Sequence, residues 1–385
     1  MGKILVGNCL EVMKDFEDNK FDSVVTDPPY GLSFMGKGWD HGVPGVEYWI
    51  EVLRVAKPGA FLLAFGGTRK FHRLAVAIED AGWEIRDTIG WLYGSGFPKS
   101  HNIGKAVDRL QGNDRVFVES KKAVGFQQGV GDTKILGKGA LEWDRTKDTS
   151  EWEGWGTSLK PACEYITMAR KPFVGTVADN VLKYGTGGIN IDGCRVGVEG
   201  DTKHEAGEKE YNNEIYGKGL YKAFGKVVPN LGRFPANIIH DGSDEVLAVF
   251  PDNKGAFAPV KSGQKGFGGE IYGKYKQAGD GGVTFYDDGL ASASRFFYCA
   301  KASKQDREEN NNHPTVKPTS LMRYLVKLVT RKGGLVLDPF CGSGSTCKAC
   351  VLEGCDYIGI DLDAEYCEIA EKRVDAVTIQ TKLWG

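Results

Sequence analysis

Short apolar runs and amphipathic stretches alternate along the start of the chain. Ile4 to Val6 and Ser23 to Thr26 predict strands, and Leu10 to Phe16 predicts a helix between them. A glycine-rich loop runs from Gly31 to Gly45. From Val46 to Ala56 the residues Val46, Trp49, Ile50 and Leu53 recur at helical spacing, and Pro58-Gly59 stops the helix. Ala60 to Phe65 is apolar throughout, the pattern of a strand covered on both faces. Thr68 reads as the N-cap of a helix running to Ala81, with Gly82 as its stop, and Glu84 to Tyr93 predicts another strand.

The end of the chain repeats this grammar. Thr319 to Arg331 predicts a helix closed by Gly333-Gly334, followed by a strand (Leu335 to Leu337), a helix (Thr346 to Glu353), a strand (Tyr357 to Ile360) and a helix (Ala364 to Val377). Such alternation predicts a doubly wound sheet. The middle, from Gly94 to Asn312, has no sustained period. Tyr165 to Ala169 predicts a strand pairing with the one that ends at Tyr93, and Thr176 to Tyr184 a short helix. The pentapeptide Glu214–Lys218 returns at Glu270–Lys274, too few copies for a solenoid. Between Lys254 and Lys276, five lysines and one glutamate are interleaved with Phe257, Phe267, Tyr272 and Tyr275. Lysines beside aromatics suit phosphate contact and base stacking; a solvated glycine-rich loop has the same composition.

Composition narrows the class. At 385 residues the chain predicts about two or three domains. Apolar residues are 41% of it, enough for a sizeable core, and its 53 glycines imply many turns. A net charge of −2 excludes a global basic field, so any nucleic-acid contact must be local. The nine cysteines are scattered rather than framed like a secreted scaffold. No signal peptide or bilayer-length apolar run is visible, and Val6 replaces the Ser/Thr of a myristoylation signal. The expectation is a soluble cytoplasmic protein.

Two acid-proline turns carry the candidate chemistry, each after a predicted strand: Asp27-Pro28-Pro29-Tyr30 and Asp338-Pro339-Phe340-Cys341-Gly342-Ser343-Gly344. In an open parallel sheet, ligands bind beyond the carboxyl ends of the strands, so two such turns would face one crevice. The exocyclic amine of a nucleobase is a poor nucleophile, its lone pair being delocalised into the ring. Catalysis needs acceptors that hold its N–H bonds while the nitrogen becomes tetrahedral. The Asp27 carboxylate and Pro28 carbonyl can do so, on a turn stiffened by two prolines without N–H groups. Tyr30 can stack on a base drawn out of its helix. In the second turn, Gly342 and Gly344 permit close backbone approach, and Asp361 closes the next strand where nucleotide folds place a carboxylate for ribose hydroxyls. The loop lacks the Lys-Ser/Thr of a P-loop, which favours an adenosine cofactor without a triphosphate.

These residues resemble the amino-group DNA methyltransferases dependent on S-adenosylmethionine. The resemblance covers residues 1–94 and 313–377, with Asp-Pro-Pro-Tyr at 27–30 preceding Phe-x-Gly-x-Gly at 340–344, the order of the circularly permuted beta group. His313-Pro314-Thr315-Val316-Lys317-Pro318 matches the group's motif ahead of the cofactor loop; Glu365-Tyr366 and Ala370 to Arg373 match the helix after the ribose-binding acid. Gly7-Asn8 stands where the group usually has Gly-Asp. Gly96 to Ser100, Arg233 to Asn237 and Arg295 to Lys301 look like phage and prophage members.

The resemblance implies an α/β fold: a doubly wound, mixed, seven-stranded Rossmann-like sheet, permuted, with a large inserted target-recognition region. It implies a catalytic half at 1–94 and an insertion at 95–312 that includes a returning strand near 163–170 and target recognition near 174–312. A cofactor half follows at 313–385. Asp27, Pro28, Pro29 and Tyr30 would be catalytic. Asn8, Asp27, Thr315, Lys317, Asp338, Phe340, Cys341, Gly342, Gly344 and Asp361 would bind S-adenosylmethionine, released as S-adenosylhomocysteine. The implied reaction is methylation of adenine N6 in double-stranded DNA, since aspartate in the first position favours adenine. N4-cytosine methylation is the runner-up; RNA, protein glutamine or a non-catalytic DNA-binding role are further alternatives. A homodimer and a cognate restriction endonuclease are partners the sequence leaves open; no membrane partner is expected. No metal is expected, because Cys347, Cys350, Cys355 and Cys367 lack paired knuckles or histidines. Cys341 lacks the Pro-Cys signature of cytosine-carbon enzymes and reads as loop lining; His313 reads as structural or at the cofactor's edge. Trp91, Trp143, Trp152 and Trp155 read as core or loop anchors.

Overall fold

The computed structural model describes residues 2–31, 42–96, 100–123, 141–147, 151–197, 211–213, 217–219, 232–251, 292–300, 306, 311 and 316–384. The first part forms β1 (Lys3–Val6), α1 (Cys9–Lys14), β2 (Phe21–Thr26), α2 (Val46–Val55), β3 (Ala56–Gly66), α3 (Phe71–Asp80) and β4 (Glu84–Leu92). The middle contributes α4 (Ile103–Gln111), β5 (Val116–Ala123), β6 (Leu141–Lys147), β7 (Cys163–Arg170), α5 (Val177–Tyr184), β8 (Tyr211–Asn213), β9 (Gly217–Gly219), β10 (Ile238–His240), α6 (Asp244–Leu247) and β11 (Tyr298–Cys299). The last part adds α7 (Thr319–Val329), β12 (Leu335–Asp338), α8 (Ser345–Glu353), β13 (Asp356–Asp361) and α9 (Ala364–Trp384).

Nine strands make one sheet in the order β1-β13-β12-β2-β3-β7-β4-β10-β11. Every pairing in it is parallel except those of β7, which runs antiparallel between β3 and β4. The expected seven strands are present, and the short parallel strands β10 and β11 extend the sheet beyond β4. They come from the glycine-rich middle, where two or three paired residues leave no readable alternation. The hairpins β5–β6 and β8–β9 stand apart from this sheet.

Alternate residues of the central strands feed two cores. Phe61, Leu63 and Phe65 of β3 join Val25 and Val336 beneath Leu321 and Leu325 of α7 and Cys347 of α8. Ala60, Leu62 and Ala64 join Val24 and Leu337 beneath Met13, Trp49, Val52, Leu74 and Ile78 of α1, α2 and α3. Burial on both faces is why β3 reads as an unbroken apolar run. Each fully buried side chain of this size contributes roughly 1.5–3 kcal/mol.

The two ends of the chain interleave in the sheet. β1 pairs with β13, and β12 pairs with β2. The buried Ser23 and Thr330 hydroxyls lie 2.6 Å apart, and Asp22 accepts from the Leu335 amide at 2.8 Å. One expected boundary is corrected. Helix α3 begins at Phe71 with Lys70 at its N-cap and no side-chain cap, rather than with Thr68 as cap. The chain first turns at Gly67, whose carbonyl accepts from the Lys70 and Phe71 amides and satisfies the helix start through backbone alone. Among the described residues, no helix is long and apolar enough to cross a membrane.

Candidate active site

β2 and β12 are parallel neighbours, so the turns that follow them leave the sheet side by side. The Thr26 hydroxyl donates to Asp338 Oδ1 at 2.7 Å, tying the two corners together. Asp27-Pro28-Pro29-Tyr30 and Asp338 to Ser343 line one cavity of about 2140 Å³, together with Asn8, Lys317 and Asp361. That space exceeds the usual range for a single small ligand and accommodates two.

Asp27 and three side chains around it form a closed network. Lys317 Nζ donates to Asp27 Oδ2 at 2.7 Å and to the Tyr30 hydroxyl at 3.1 Å, and lies 3.2 Å from Glu164 Oε2. The Tyr30 hydroxyl has Asp27 Oδ1 at 2.9 Å and Glu164 Oε2 at 3.0 Å as acceptors, but only one hydrogen to give. Lys317 is almost wholly buried, its ammonium 4.8 Å from the Phe65 ring centroid and 5.4 Å from that of Tyr30. Burial opposes its charge, yet the Asp27 and Glu164 carboxylates outweigh burial and hold its pKa above the ordinary lysine value. Burial, and then the same two carboxylates, raise the Tyr30 phenol well above its usual range, so it stays protonated. Gly67 faces the Tyr30 ring, and a Cβ there would lie 2.8 Å from Cδ2.

Glu164 is absent from the residues that sequence reasoning selects. It stands near the start of β7, opposite Trp91 of β4. Because β7 is antiparallel, its beginning lies at the carboxyl edge of the parallel strands, where ligands bind. The available signal was an acid opening an apolar strand that returns antiparallel into the sheet.

The second corner is a braced glycine loop. The Gly342 amide donates to Asp361 Oδ2 at 2.8 Å, and the Asp363 amide to Asp361 Oδ1 at 3.0 Å. Gly344 is the N-cap of α8 with φ +78°, and a Cβ there would sit 2.7 Å from Ala370 Cβ. Gly342 also has positive φ, at +48°. No side chain caps α8 among the described residues, which leaves its first turn available to a ligand's carboxylate. Arg373, buried in α9, donates to the Ser343 carbonyl and, at 3.1 Å, to its hydroxyl. Phe340 packs its ring against Tyr48 and Trp49, with centroids 6.0 Å and 6.3 Å away.

Asp338 is buried, and burial pushes its carboxyl up to about 7 against the hydrogen bonds from Thr26 and Thr346. Asn8 lines the cavity while its side chain caps α1, accepting from the Leu10 amide at 3.0 Å. The Cys341 thiol turns inward; its hydrogen bond with Cys347 and its burial hold it well above the ordinary thiol range, unsuited to a nucleophile. Trp91 is core, whereas Trp152 and Trp155 form an exposed pair with centroids 5.2 Å apart. Thr315, His313 and the lysine-aromatic segment 254–276 lie outside the described residues. Among the described residues, no group of three or more His, Cys, Asp or Glu could hold a metal ion.

The N6/N4 methyltransferase family model, described as DNA methylase, matches residues 21–372. Protein YubD of Escherichia coli (strain K12) is 44% identical over 68 residues, 18% of this chain and 30% of that protein. DNA adenine methyltransferase YhdJ of the same organism is 35% identical over 71 residues, 18% of this chain and 24% of that protein. The chain thus aligns with less than a third of the length of these relatives. The crystal structure of the M1.HpyAVI–SAM complex aligns over 97% of this chain and 100% of that one, at 16% identity and a TM-score of 0.43.

Proposed function

The chain belongs to the N6/N4 DNA methylase family, and on that premise we propose that it transfers a methyl group from S-adenosylmethionine to the N6 amine of adenine in double-stranded DNA. The observation that carries this reading is the pair of adjacent corners at Asp27 and Asp338, which open into one cavity. Enzymes of this family use S-adenosylmethionine, and YhdJ is named as an adenine methyltransferase.

The residues present fit such a donor. Gly342 and Gly344 leave room for close approach, the uncapped start of α8 suits a carboxylate, and Asp361 borders the cavity where ribose hydroxyls would lie. The donor supplies a methyl group activated on a sulfonium. Asp27 and the Pro28 carbonyl accept the two N–H bonds of the flipped base, which directs the nitrogen lone pair towards the methyl carbon. The methylated amine would give up one proton, and the Asp27 carboxylate that holds its N–H would be placed to take it. Tyr30 borders the base. Target recognition falls to residues 174–312 in this reading, and the cytoplasm is its place of action.

The experiment is transfer of an isotopically labelled methyl group to plasmid DNA, followed by nucleoside analysis. Label in N6-methyladenine is expected. N4-methylcytosine without N6-methyladenine ends the adenine assignment. Label only in RNA or protein, offered in competition, ends the DNA assignment.

A further inference from the structure

Two donors already face the Asp27 carboxylate, Lys317 at 2.7 Å from Oδ2 and the Tyr30 hydroxyl at 2.9 Å from Oδ1. An arriving amine competes with them for the same oxygens. Each of these two donors also reaches Glu164 Oε2, Lys317 at 3.2 Å and Tyr30 at 3.0 Å. We infer that Glu164 is a positioning residue that receives the Lys317 ammonium and the Tyr30 hydroxyl when an acceptor amine takes their place on Asp27. The inference rests on the proposed function.

Burial makes a second carboxylate necessary. The Lys317 side chain is 8% exposed, so water is a poor replacement for a lost partner. An ammonium displaced from Asp27 with nowhere to go would be a buried, unpaired charge, which is strongly unfavourable. Glu164 removes that obstacle without moving any charge into or out of the site. Its backbone is held in the β7 ladder, opposite Trp91 of β4 and next to Tyr165, which pairs with Gly66 of β3. Lys317 needs only a short movement, since both carboxylates already lie within ion-pair distance.

The test is a double-mutant cycle on the full chain: parent, Glu164→Gln, Lys317→Met and the double variant. Two readouts are taken. The first is thermal melting, which reports the pairing whatever the activity. Lys317→Met leaves Asp27 and Glu164 without their cation, so its melting temperature falls, and adding Glu164→Gln restores part of the loss. The second is single-turnover methyl transfer, with S-adenosylmethionine affinity measured by calorimetry. Glu164→Gln slows transfer about tenfold or more with little change in S-adenosylmethionine affinity. The double variant is little slower than Lys317→Met alone, because with the ammonium gone only the Tyr30 hydroxyl is left for Glu164 to receive.

Additive melting shifts would overturn the inference, as would rate defects that multiply, or parental turnover in Glu164→Gln. A parent that methylates no DNA amine, while the melting cycle still shows coupling, would overturn the proposed function and the handover with it.

Discussion

Lys317 places its ammonium 2.7 Å from a carboxylate oxygen of Asp27, 290 positions earlier in the chain. The contact joins the segment entering α7 to the turn after β2, so residues from both ends of the polypeptide build one site. Asp27→Asn keeps the shape of that side chain and removes its charge. Methyl transfer is expected to fall at least about 100-fold, the scale of losing a preorganised electrostatic group. S-adenosylmethionine binding, read by calorimetry, should weaken far less than turnover. Near-parental turnover would remove Asp27 from the chemistry.

Asp338 gives a pH signature. Its pKa in the fold is about 7, above the ordinary 3.8, because burial outweighs the Thr26 and Thr346 hydrogen bonds. A raised carboxyl pKa contributes stability below the unfolded value and loses it as pH rises through the folded value. Relative to Asp338→Asn, the parent without cofactor should lose stability as pH rises from about 4 to about 7, by up to about 1.4 kcal/mol per pH unit. Denaturant melts of both proteins at pH values spanning this window check the sign. A difference that is flat or rises with pH would contradict the assignment.

Gly344 and Gly354 separate backbone strain from steric clash. Both have left-handed φ, +78° and +70°, but a Cβ at Gly344 meets Ala370 at 2.7 Å while one at Gly354 meets nothing within 4 Å. Gly354→Ala should cost about 1–2 kcal/mol, the left-handed penalty alone. Gly344→Ala should cost more, and it should also weaken S-adenosylmethionine binding. Equal effects on stability and no effect on binding would show that the loop tolerates displacement.

Arg373 holds the glycine loop from behind through both Ser343 oxygens, and donates to the Asp306 carbonyl at 2.9 Å. The planar fork matters more than the charge, so Arg373→Lys is not conservative here. Weaker S-adenosylmethionine binding with a retained fold, seen by calorimetry and circular dichroism, is the expected outcome. Unchanged affinity would make Arg373 a scaffold residue only.

Strands buried on both faces were the most legible part of the sequence, since their unbroken apolar runs between glycines and prolines admit few other readings. The two acid-proline turns were legible because each directly follows such a run, at the sheet edge where ligands bind. Glu164 was not, although its strand and that strand's pairing with β4 were: no local pattern marks which residue at the start of β7 meets Lys317 and Tyr30, both distant in sequence. Helix α3 shows the limit of capping rules: a hydroxyl at Thr68 is available, yet the Gly67 carbonyl takes the first amides and the helix starts at Phe71. The edge strands β10 and β11 escape notice for another reason. Their pairing is too short to impose alternation, with three residue pairs between β10 and β4 and two between β11 and β10.

The proposed reaction requires the Asp27 and Asp338 corners to serve a single chamber in which donor and acceptor meet. A crystal structure with sinefungin, an unreactive analogue carrying an amine where S-adenosylmethionine carries its methyl, tests it most directly. Adenosine is expected beside Asp361, the amino-acid end at the start of α8, and the analogue's amine pointing at the Asp27 carboxylate across the space the acceptor nitrogen would fill. Sinefungin bound away from Asp27, or outside the cavity shared by the two turns, would contradict it.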